Sequence, residues 1–141
     1  MCGCVRYQCD GEPLVVAYCH CDDCRHHAGA PGVVWVAFLS ERVRYTNGTP
    51  KVYESSPGIG RAFCGDCGTP LTWQAESLRY PGKHITEFYI GTLDDPSAHT
   101  PDRHWFECER IGWFDTADDL PRFSKLDGDG VEPVHIGPRS D

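Results

Sequence analysis

Long apolar runs are missing from this chain. No stretch approaches the ~20 apolar residues that a membrane-spanning helix needs, so no membrane partner is expected. The start lacks a charged segment followed by an apolar run, so no signal peptide is read and a cytoplasmic location is expected. Basic residues are few. Thirteen Lys and Arg stand against 21 Asp and Glu, giving a formal charge of -8. With no basic stripe, a nucleic-acid or anionic-membrane surface is not expected. A small anionic ligand would need a local cluster of Arg, His or backbone N–H groups. Helical periodicity is scarce, and no internal repeat is found.

Glycine and proline are plentiful, at 15 and 11 in 141 residues. That mixture favours short strands and tight turns over a helical bundle. The length suits one domain. A domain over 1–123 and a loosely ordered tail over 124–141, rich in Gly, Asp and Pro, are expected. Strands are predicted at the start around Val5-Arg6-Tyr7, over Leu14–Tyr18, Val33–Leu39, Ile59–Phe63, Leu71–Gln74, Ile85–Ile90 and Trp105–Cys108. Asp22–Ala28 reads as a helical turn ended by Gly29. Arg42–Thr46 and Lys51–Glu54 read as a hairpin around Asn47-Gly48.

Nine cysteines dominate the chemistry. The number is odd, the spacings are close and no export signal is read, so metal binding is favoured over a disulfide framework. Cys64 and Cys67 form a C-x-x-C turn, which brings two thiolates to one ion; Gly65 and Gly68 ease the sharp backbone. Cys19, Cys21 and Cys24 form a C-x-C-x-x-C run. In extended chain, residues two apart point to one side, so Cys19 and Cys21 face one ion, His20 turns away and Cys24 returns as a third ligand. Three protein ligands leave a fourth position open, the arrangement of a reactive zinc. Cys2 and Cys4 are the nearest candidates to complete the Cys64/Cys67 site. Cys9 and Cys108 read as small buried hydrophobes.

These segments resemble a known family: Cys2-Gly3-Cys4-Val5-Arg6-Tyr7, Cys19-His20-Cys21-Asp22-Asp23-Cys24-Arg25, Arg61-Ala62-Phe63-Cys64-Gly65-Asp66-Cys67-Gly68-Thr69-Pro70-Leu71 and Gly91-Thr92-Leu93-Asp94-Asp95. They are similar to the glutathione-dependent formaldehyde-activating enzymes, which include the zinc domain of centromere protein V. The resemblance covers roughly residues 1 to 115. It implies a mainly β fold of short antiparallel sheets, of folded-tent type, with two zinc knuckles. It implies two zinc ions, one structural and bound by four cysteines, one held by three. It also implies a carbon–sulfur lyase activity, the addition of glutathione to formaldehyde giving S-hydroxymethylglutathione.

One departure stands out. The family opens Cys-x-Cys-Gly-x-Val-Arg-Tyr. Aligned on Val5-Arg6-Tyr7, Cys2 matches the second cysteine and Cys4 falls on a variable position. The first family cysteine would precede Met1. Either the chain begins internally, or Cys4 has taken over, or the structural site is incomplete.

The expected chemistry follows from charge. A thiol that coordinates zinc is deprotonated outright. Three cysteinates make the zinc a poor Lewis acid for water, but a bound thiolate stays nucleophilic toward an aldehyde. Cys19, Cys21 and Cys24 are then ligands and not nucleophiles, and no general acid or base is assigned. Arg25 and Arg61 are candidates to meet the carboxylates of a glutathione-like thiol. His20, His26 and His27 read as surface histidines, and Asp94-Asp95 before Pro96 as a turn and cap. The alternative function is a non-catalytic zinc module or glutathione carrier. Methionine sulfoxide reduction would need a reactive late cysteine, and Cys108 between Glu107 and Glu109 does not suit that role.

Overall fold

In the computed structural model, residues 1–128 and 130–138 are described. The chain is mainly β, with eleven strands and one short α-helix among the described residues. The tail expected over 124–141 includes residue 129 and residues 139–141, which lie outside them. Among the described residues, no helix is long and apolar enough to cross a membrane. The chain forms two compact units, Met1–Val15 with Val36–Ala98, and Val16–Trp35 with His99–Asp141. Each carries one of the cysteine groups.

The first unit contains a meander of β5 (Lys51–Ser56), β6 (Ile59–Phe63), β7 (Pro70–Glu76) and β8 (His84–Tyr89), all antiparallel. Its hydrophobic interior includes Ala62, Leu71 and Phe88. A second pair, β1 (Arg6–Cys9) with β4 (Val43–Asn47), sets Tyr7 opposite Tyr45. Tyr7 stacks on Phe88 with ring centroids 4.0 Å apart, a contact worth about 1 kcal/mol beyond its buried area. Its hydroxyl donates to Thr92 Oγ1 at 2.6 Å, and Thr92 donates in turn to the Tyr89 carbonyl at 2.7 Å. Arg6 pairs with Asp94. These contacts fix the opening strand, and with it the direction in which Cys2 to Cys4 leave.

The predicted hairpin of β4 with β5 does not form. β4 pairs with β1 and β5 with β6, and the tight turn lies at Pro57-Gly58, where Gly58 has φ +77°. Asn47 instead donates to the Cys4 carbonyl at 3.0 Å. The Asn-Gly dipeptide does turn the chain, but the side chains of β1 decide which strand is met.

The second unit holds β2 (Val15–Cys19), α1 (Asp22–Ala28), β9 (Arg103–Trp105), β10 (Pro121–Arg122) and β11 (His135–Ile136). β2 and β9 run parallel, as do β9 and β10, while β11 is antiparallel to β10. The late strand ends at Trp105, earlier than predicted, because Phe106 adopts a left-handed φ of 58°. That conformation is unfavourable for a bulky residue and ends the extended run. The boundary between the units falls within β3 (Val33–Leu39), whose β-branched and aromatic residues are mostly buried.

α1 follows its sequence signals closely. Cys21 is the N-cap and its sulfur accepts from the Cys24 N–H; Asp22 and Asp23 lie in the positive first turn; Gly29 ends the helix with φ 62°. The cap residue and a first-turn residue are thus both cysteines, so the cap that starts the helix also draws two thiols together.

Candidate metal centres

In the second unit the sulfurs of Cys19, Cys21 and Cys24 lie within 4.8 Å of one another. Cys19 is the last residue of β2, in register with Trp105. Cys19 and Cys24 are buried and Cys21 is half-buried. Arg25 braces the loop from behind. Its Nε donates to the His20 carbonyl at 3.0 Å, and its Nη2 reaches Asp22 at 2.7 Å and the Glu109 carbonyl at 3.3 Å. Glu109 also accepts from the Asp22 N–H at 2.7 Å, capping the helix from outside.

In the first unit Cys2, Cys64 and Cys67 form a second group by the same measure. The sulfurs of Cys2 and Cys64 are 3.6 Å apart. The Cys64–Gly68 knuckle is closed by the Gly68 N–H donating to the Cys64 carbonyl at 2.9 Å, with Gly68 at φ +73°. Gly65 passes so close to Lys51 that a Cβ would stand 2.8 Å from its side chain. Cys4 is outside this group, although its side chain acts on the Cys2 thiol.

The donor sets suit zinc. A tetrahedral ion with Zn–S bonds of ~2.3 Å places its sulfurs ~3.8 Å apart, close to the Cys2–Cys64 separation. Protonation points the same way. Cys19 is raised well above the usual thiol value by its hydrogen bonds with Cys21 and Cys24, and by burial. Cys21 is also raised: Cys19 lowers it, but Cys24 and burial outweigh that. Cys19 and Cys21 therefore hold their protons until a cation displaces them. In the other group Cys67 is drawn down to about 6 by the hydroxyl and backbone N–H of Thr69, so that knuckle carries a thiolate already prepared for a cation.

The remaining expected residues fall into place differently. Arg61 is buried at 5% exposure. Its Nε meets Ser55 at 3.2 Å, and its Nη1 is buried without a hydrogen-bond partner. Arg25, by contrast, has its Nε and Nη2 engaged. His26 is exposed and His27 half-buried, but His20 is entirely buried, against the surface reading. The even spacing that puts Cys19 and Cys21 on one face turns His20 into the interior. Cys9 is half-buried and Cys108 is exposed, so the buried reading fails for Cys108. Asp95 caps a short turn through the Ser97 N–H at 3.0 Å, as expected. Sequence reasoning missed His104, which meets His20; its only local signal is its place in an apolar late strand.

Residues 1–109 match the family described as glutathione-dependent formaldehyde-activating enzyme. The chain belongs to this family. The matched region contains both cysteine groups of this family member. No curated protein matches the chain. Among solved structures, a crystal structure of a Rhodobacter sphaeroides protein, a structural-genomics target, is similar at a TM-score of 0.51 and 16% identity, over 71% of this chain and 93% of that one. At that identity the likeness concerns the fold.

Proposed function

We propose that the protein is a zinc-dependent enzyme of the carbon–sulfur lyase class that adds a thiol such as glutathione to an aldehyde such as formaldehyde. The observation that carries this reading is the group of three sulfurs at Cys19, Cys21 and Cys24, one donor short of a closed structural zinc. Cys2, Cys64 and Cys67 would hold a structural ion, with Cys4 nearest in the chain to supply its fourth sulfur. Family membership supports the substrate class.

Zinc bound by the first group supplies the positive charge that lets a coordinating thiol lose its proton. Every other contribution comes from the chain. Cys19 and Cys24 present their sulfurs from buried positions, which limits access of bulk water to one side of the centre. Arg25 keeps the ligand loop closed through the His20 and Glu109 carbonyls, so it positions ligands and is not free to bind substrate. Arg61 belongs to the other unit, where its buried Nη1 meets no hydrogen-bond partner. In the reaction a new S–C bond forms at the aldehyde carbon, the C=O π pair moves to oxygen, and that oxygen takes up the proton the thiol gave up.

The test combines metal counting and catalysis. Native mass spectrometry of the zinc-loaded protein is expected to show two zinc ions, and Cys24→Ser one. The loaded protein should accelerate adduct formation from formaldehyde and glutathione, and Cys24→Ser should not. Two zinc ions without acceleration would favour the non-catalytic module or glutathione carrier.

A further inference from the structure

His20 separates Cys19 from Cys21, and the proposed chemistry leaves its side chain unused. The residue is held on every side. Its N–H donates to the Trp105 carbonyl at 3.1 Å, and its carbonyl accepts from Arg25. Its ring Nε2 is 2.9 Å from His104 Nδ1, and His104 Nε2 faces both oxygens of Asp118 at 3.1 and 3.2 Å. Tyr18 stacks on His104 at 4.6 Å, and the His104 and His20 rings are nearly parallel with centroids 5.2 Å apart. Both histidines have 0% exposure.

The direction of this chain can be deduced. Asp118 accepts from the Leu120 N–H at 3.1 Å and lies 3.5 Å from Arg122 Nη2, which keeps it a carboxylate. A carboxylate only accepts, so His104 carries its proton on Nε2. A neutral imidazole has one N–H, so His104 Nδ1 is bare and accepts from His20 Nε2–H. His20 Nδ1 is then also bare. Its surroundings agree: Nδ1 is buried without a hydrogen-bond partner. Beside it is Gly32, where a Cβ would stand 3.3 Å from Nδ1 and 3.1 Å from a Phe114 ring carbon. A bare acceptor is tolerated in such a place better than an orphaned N–H.

We propose that His104 and Asp118 are positioning residues for the Cys19/Cys21/Cys24 metal centre. A one-way hydrogen-bond chain, His20 to His104 to Asp118, locks the peptide between two ligand cysteines in the geometry that the metal takes. The inference rests on the reading of that group as a metal centre. It extends the site beyond the family match, since Asp118 lies past residue 109. The ordering that the metal requires at Cys19 and Cys21 is completed during folding, so binding does not have to impose it.

Two measurements test this. Long-range proton–nitrogen NMR of the metal-free wild type should show both His20 and His104 in the Nε2–H form; His20 as the Nδ1–H form would overturn the inference whatever any variant does. Asp118→Asn keeps the side-chain shape and lets an amide N–H face His104 Nε2, which reverses the chain. Zinc release to a chromophoric chelator should then speed up roughly 10- to 100-fold in the phase that Cys24→Ser lacks, and stay unchanged in the other phase. A folded Asp118→Asn protein with both phases unchanged would overturn the positioning role and leave the metal reading standing. A wild type that loads zinc only at Cys2/Cys64/Cys67 would remove both.

Discussion

Cys2 and Cys4 are both exposed and two residues apart, yet their roles differ. Only the Cys2 sulfur joins Cys64 and Cys67 in a group of ligand dimensions. The Cys2 thiol is raised above its ordinary value; the Cys4 backbone N–H lowers it, but the side chains of Cys67 and Cys4 outweigh that. Cys4 is thus in touch with the group through Cys2, while its carbonyl is held by Asn47. We predict that Cys2→Ser loses the zinc of this centre. Cys4→Ser is expected to retain it at full stoichiometry and release it faster to a chelator. Native mass spectrometry with chelator kinetics reads both, and an unchanged zinc count in Cys2→Ser would sink the ligand assignment.

Among the elements, α1 was the most legible, because all its signals are local. Asp22 and Asp23, the cysteine cap and Gly29 lie within one short segment, and its observed range is the predicted one. β3 was legible from its unbroken apolar composition. The partner of β4 was not, because pairing depends on side chains far apart in sequence, such as Tyr7 opposite Tyr45. Cys19/Cys21/Cys24 and the Cys64/Cys67 pair were legible for the same reason as the helix, close spacing within one turn or strand end, whereas Cys2 joins its group from 62 residues away. His104 and Asp118 were not, since nothing near them in sequence names their partner. Gly48 offers a test of the β1–β4 pairing. It has φ +62°, and a Cβ there would stand 2.1 Å from the Cys4 carbonyl oxygen. Gly48→Ala should therefore destabilise the fold by more than ~1 kcal/mol, visible as a lower urea midpoint. It should also hasten zinc loss from the Cys2 centre, because Cys4 must move. A midpoint equal to that of wild type would mean that β4 does not approach the opening strand this closely.

Across the whole molecule, pH acts through groups with separable windows. His20 is lowered to about 4, first by burial and then by His104, and His104 is lowered by burial and by Arg122. An unfolded histidine takes up its proton near 6.5, whereas folded His20 resists until about 4. Between those values the unfolded state binds more protons, so stability falls as pH falls. For His20 alone the loss is on the order of 3 kcal/mol across the window. Cys67 acts earlier. With its thiol near 6 in the metal-free fold and 9 as its ordinary value, its contribution fades as pH drops from 9 to 6. Asp94 and Asp118 lie below their ordinary values and act only in stronger acid. Glu41 is also lowered from its ordinary 4.5, by Lys83, so the histidine share is read between pH 6 and about 5. Urea midpoints of the chelator-treated protein should fall steadily through that interval, and a flat profile there would refute the buried neutral histidines. With zinc loaded, the descent should be steeper, because protons also compete with the metal for the cysteine sulfurs. The difference between the two curves then reports the metal centres, and the metal-free curve reports the histidine chain that holds one of them in place.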